Sequence, residues 1–169
     1  MDLEMLRSLF AYDHWVNDRL MGVVQLVSDE RLHEPMGGSF DTIFGTTAHI
    51  LQGEMFYYYR WTGQEQPGTS RPSEKRTIAE LRDLSVQHRR LMDQFLRELA
   101  PDAAHAPIRY GRRGGEVFYE LPLWQIMLQV VNHGTHHRAE LADMLTRVGH
   151  PPPPTDLIVY YQEQAGPAS

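Results

Sequence analysis

Residues 123–148 set the terms for the whole chain. Leu123, Ile126, Met127, Val130, Gly134, Leu141, Met144, Leu145 and Val148 recur at helical spacing and form one apolar stripe. His133 and His137 lie on that stripe one turn apart, and His136 projects off it. A helical i, i+4 pair aims two imidazoles at one point, as metal chelation requires. Two core histidines, each bonded to its own acceptor, fit the stripe as well. A third ligand elsewhere decides between them.

Three earlier stretches supply helices for this one to pack against. Residues 2–27 carry Leu3, Leu6, Leu9, Phe10, Leu20, Met21, Val24 and Val27 on one face. Asp13 and Asn17 interrupt that face one turn apart. A polar group turned toward a core needs a bonded partner, so the pair is either a buried structural bond or sits beside a reaction centre, where it would orient a nucleophile or accept its proton. Pro35 and Gly37-Gly38 break the chain in the loop 28–40, where His33 reads as solvated. A second helix is expected from an Asp41 N-cap to Trp61, closed by Gly63. His49 sits in it, with Gly45 and Gly53 one turn before and after. Two helical glycines cost roughly 1 kcal/mol each, which close approach of a neighbouring helix around that imidazole would offset. His49 is therefore the third-ligand candidate.

The same helix has a second apolar face, Phe44, Leu51, Met55 and Tyr58. A helix apolar on both sides is buried on both sides, either in a homodimer contact or against the C-terminal tail. Residues 62–76, rich in Gly, Pro and Ser, are long enough to cross a bundle end to end. The third helix starts at Thr77 with a Thr-x-x-Glu capping box, carries Leu81, Leu84, Leu91, Met92, Phe95 and Leu99 with His88 among them, and stops at Pro101. A short hairpin is expected over 107–120, around Gly111 and Gly114-Gly115. A last short helix, Asp156 to Gln164, would dock through Leu157, Ile158 and Tyr161. These elements read as one all-α, four-helix-bundle domain over 1–169, with no internal repeat.

Composition narrows the functions. The formal charge is −6, from 22 acidic and 16 basic residues, and Lys75 is the only lysine. That disfavours a phosphate-tracking nucleic-acid surface. With no cysteine there is no thiolate ligand and no thiol nucleophile of the chain's own. MDLEMLRSLF lacks the features of a signal peptide, and no apolar run approaches the ~20 residues that cross a bilayer, so a cytoplasmic protein is expected.

GTTAHILQGE in the second helix and NHGTHHRAEL in the fourth, together with YDHWVNDRL near the start and PTDLIVYYQ near the end, resemble the DinB/YfiT-like superfamily of metalloenzymes. The resemblance covers nearly the whole chain. It implies an up-down-down-up four-helix bundle, three histidine ligands at His49, His133 and His137, a divalent metal (nickel or zinc), and often a homodimer. Some relatives use low-molecular-weight thiols as transferases or isomerases, so it also implies a small-molecule substrate and a thiol cosubstrate. The alternative is a non-catalytic stress-associated protein in which the metal is structural. Glu140, beside His133 on the helix surface, is a candidate to accept a hydrogen bond from the far nitrogen of a ligand imidazole. Ligand imidazoles must be neutral, so metal affinity should fall as pH drops toward and below ~6.5.

Overall fold

The computed structural model describes residues 2–111 and 118–167. Its elements are α1 (Leu3–Val24), a one-turn α2 (Asp29–Leu32), α3 (Ile43–Thr62), α4 (Ile78–Glu98), β1 (Pro107–Gly111), β2 (Phe118–Pro122), α5 (Leu123–Arg147) and α6 (Leu157–Ala165). The ends form where the sequence offers capping groups. The Thr77–Glu80 box opens α4 as expected, and Gly63 closes α3 in the left-handed region, at φ +68°. The N-cap of α3 is Thr42 rather than Asp41: the Thr42 hydroxyl accepts from Gly45 N–H, while Asp41 adopts a φ of +62°.

Side-chain pairs fix the helix directions. Arg89 bonds Asp18, and Arg7 Nε donates to the Leu96 carbonyl, so α1 and α4 run antiparallel. Ser85 lies across a small cavity from Leu51, and Trp61 packs on Phe95 further along, so α3 and α4 run parallel. His49 meets His133, and Thr46 meets Met144, so α3 and α5 are antiparallel. The order is up-down-down-up. The crossover between α3 and α4 lies along α3, where Gln66 bonds both Gln52 and the Ser70 carbonyl and Pro72 is buried.

Three expectations are corrected. The second apolar face of α3 is covered within the chain: Tyr58 packs on His88 and Phe95 of α4, Leu51 and Met55 are buried, and Phe44 packs on His33. The two-sided apolar pattern of α3 is thus accounted for by α4 and the loop before α3, not by the C-terminal tail. In α4, Leu91 is exposed and the buried face runs through Ile78, Leu81, Leu84, His88, Met92 and Leu96. In α6, Tyr160 is the buried residue, packed on Tyr12 and Trp15, whereas Ile158 is exposed. The strands pair antiparallel from Pro107 opposite Pro122; the turn expected at Gly114-Gly115 lies outside the described residues. Among the described residues no helix is long and apolar enough to cross a membrane.

Candidate metal centre

α3 and α5 pack antiparallel, and three imidazoles, one from α3 and two from α5, meet between them. His49 Nε2 lies 3.1 Å from His133 Nε2. The His137 ring centroid is 4.5 Å from that of His49 and 4.6 Å from that of His133. One nitrogen from each ring falls within 4.8 Å of the other two. His137 is buried, and His49 and His133 are half-buried. His136 points to solvent, as its place off the stripe predicts.

Each ring is held differently. His137 Nδ1 bonds Glu140 Oε2 at 2.8 Å, which leaves its Nε2 to face the cluster. Glu140 thus serves His137 rather than the neighbouring His133, and its other oxygen accepts from Ser39 Oγ at 2.7 Å. Those two bonds hold the Glu140 carboxyl below its usual range, the His137 bond most strongly. His133 lies against Gly53, where a Cβ would sit 2.6 Å from its Cε1. The glycine that sequence reasoning assigned to the room around His49 therefore makes room for His133. Gly45 has another reason again, since a Cβ there would lie 2.6 Å from the Phe40 carbonyl oxygen. His49 itself stacks on Phe40.

The electrostatics favour neutral rings. Burial, and then the positive charge that His137 and His133 would carry, push His49 down to about 4. His133 is lowered by burial first, then by His137, His136 and Arg138. Three imidazoles on one point, one oriented through its far nitrogen by a carboxylate, fit a divalent cation. Zinc, nickel, copper and iron all accept such donors.

Asp13 and Asn17 lie across α5 in a different cluster. Arg138, buried like Asp13, donates through Nη1 to Asp13 and to Asn17 Oδ1, and through Nη2 to Thr135 Oγ1 and the Val131 carbonyl. Asn17 Nδ2 donates to Glu54 Oε1 at 2.7 Å. Burial first, and then the Asp13 charge, raise Glu54 well above the usual carboxylate range. The bonding capacity of Asp13 and Asn17 is taken up here, and neither joins the three histidines. Sequence reasoning missed Arg138, Glu54 and Phe40. Gly134, one turn before Arg138, carried a signal: a Cβ there would lie 2.5 Å from the Arg138 Nη1.

A four-helix bundle with up-down-down-up order and a three-imidazole cluster at its α3–α5 seam defines the class. The DinB family model matches residues 1–167, and the chain belongs to that family. Protein DinB of Bacillus subtilis (strain 168) is 21% identical over 160 residues, covering 90% of this chain and 91% of that protein. A DinB-like protein from Bacillus cereus ATCC 10987, known as a crystal structure, has the same fold with a TM-score of 0.65. It is 15% identical, and the match covers 90% of this chain and 97% of that one.

Proposed function

We propose that His49, His133 and His137 hold a divalent ion, nickel or zinc, and that the protein is a metal-dependent enzyme acting on a small molecule with a low-molecular-weight thiol as cosubstrate. The observation that carries this reading is the convergence of three ring nitrogens with Glu140 fixing the third ring. A divalent ion there supplies a Lewis acid that lowers the pKa of a coordinating thiol or hydroxyl group. The chain has no cysteine, so the thiol has to come from outside. Glu140 keeps the His137 tautomer with Nδ1 protonated and Nε2 free to coordinate. Arg138, next to His137, ties α5 to Asp13 and Asn17 of α1 and bonds Thr135, which lies between the two histidines that α5 supplies. A homodimer is carried by the family resemblance alone, and light scattering at 19.5 kDa in micromolar solution would remove it.

The test is metal analysis of protein purified without a histidine tag, followed by thiol-consumption assays with several thiols and a panel of electrophiles. One ion per chain and turnover with one of the thiols is the expected result. One ion and no turnover would move the protein to the non-catalytic reading. No ion, even after incubation with nickel or zinc, would leave the histidines structural.

A further inference from the structure

The loop before α3 is held by more contacts than its composition announces. Phe40 lies flat on His49, with ring centroids 3.6 Å apart and planes 18° apart, and meets His137 edge-on at 5.3 Å. Three features keep it there. Thr42 N–H donates to the Phe40 carbonyl at 2.7 Å, closing a γ-turn about Asp41, whose φ of +62° is rare for a non-glycine residue. The Phe40 carbonyl can lie on α3 only because residue 45 is glycine. Ser39 Oγ shares the Glu140 carboxylate with His137. Strained turns persist where the surrounding structure over-determines them, and such places concentrate at functional sites.

A ligand imidazole needs its plane fixed as well as its position. His137 has Glu140 and His133 has the Gly53 notch, whereas the Nδ1 of His49 meets no hydrogen-bond partner among the described residues. We propose that Phe40 is the positioning residue for His49: ring stacking, rather than a hydrogen bond, sets the plane in which its Nε2 faces the ion. This rests on the reading of the cluster as a metal site.

The experiment titrates Zn2+ into tag-free apoprotein against a chromogenic chelator for wild type, Phe40→Leu and Phe40→Tyr, and follows the His49 ring protons of the apo forms by NMR. Phe40→Leu should bind about tenfold more weakly, the scale of a lost outer-shell partner, while Phe40→Tyr stays within about twofold because it keeps the stack. The His49 ring protons, shielded by Phe40 in wild type and in Phe40→Tyr, should move downfield in Phe40→Leu. Should Phe40→Leu fold poorly, Phe40→Met carries the same expectations. Unchanged affinity in the aliphatic variant, equal loss in both variants, or an unmoved His49 signal would each overturn the proposal while the metal site stands. Wild type that binds no Zn2+ would instead remove the metal site, and the proposal with it.

Discussion

Two polar clusters interrupt the apolar core on adjacent turns of α5, and they are built in opposite ways. Arg138, Asp13, Asn17 and Glu54 satisfy one another. The guanidinium faces the Asp13 carboxylate, while Glu54, raised above its ordinary range by burial and then by the Asp13 charge, shares a hydrogen bond with Asp13. The histidine cluster is built otherwise: its rings turn nitrogens toward one another, His49 and His133 at 3.1 Å, and Glu140 binds the far side of His137. Each cluster needs a glycine, Gly134 for the first and Gly53 for the second. A polar group in a core is costly unless partnered. The closed cluster finds its partners within the chain and so specifies packing. The open one leaves three ring nitrogens converging on one another, and it is on that convergence that the proposed metal site rests.

The largest expected effects separate the two outright. Replacing His49, His133 or His137 by Ala should abolish stoichiometric metal, whereas His136→Ala should retain most of it, as read by metal per chain. Equal loss from all four would put the exposed His136 among the ligands. Arg138→Leu should instead cost about 3–5 kcal/mol of stability in chemical denaturation, because it strands a buried carboxylate. Adding Asp13→Leu should recover part of that loss. If Arg138→Leu left stability intact and removed the metal, the closed cluster would belong to the site.

The glycines give a finer cut. Gly53→Ala places a methyl against the His133 ring but improves helix propensity by roughly 1 kcal/mol. Metal affinity should fall about tenfold or more while apoprotein stability holds. Gly134→Ala crowds Arg138 and Asp13, so overpacking should cost about 1–3 kcal/mol with little change in metal affinity. Paired isothermal titration and thermal unfolding check both, and exchanged outcomes would break the distinction.

How legible each cluster was follows from the range of its contacts. The long helices, the Thr77 box and the His133/His137 pair are local patterns at 3.6-residue spacing, and α1, α3, α4 and α5 fall where those patterns place them, whereas the one-turn α2 lies in a stretch that read as loop. His49 stood out through its two glycines and the family resemblance. Its link to α5 spans 84 residues, so spacing alone could not pair them. Arg138 meets Asp13 across 125 residues and sits in a helix where an arginine reads as solvated charge. Glu54 looked equally ordinary. Phe40 was hidden because a loop has no period, and Asp41 misled as an N-cap because its backbone is spent on the γ-turn.

The smallest effect is the pH profile of stability, where the clusters should act with opposite sign. His49 is pushed down to about 4 in the folded protein against ~6.5 unfolded. Above ~6.5 both states are neutral and its contribution is fully present. As pH falls toward 4 the unfolded chain takes up a proton that the folded one refuses, and stability is lost. His88, buried on α4 and lowered to about 3 by burial and by His14, adds to the same acid limb. Glu54 runs the other way: its raised folded pKa gives stability present below ~4.5 and lost as pH rises through the folded value. Glu54→Gln can donate to Asp13 and accept from Asn17 as the protonated acid does, so it should flatten the alkaline limb. His49→Ala should soften the acid limb without removing it, since His88 remains. In the proposed metal site, the lowered pKa values of His49 and His133 would set proton competition for an ion at those two rings below the ~6.5 of an ordinary histidine. Thermal unfolding of the apoprotein from pH 4 to 9 reads both limbs. A Glu54→Gln variant that moved the acid limb would show that the two clusters titrate as one.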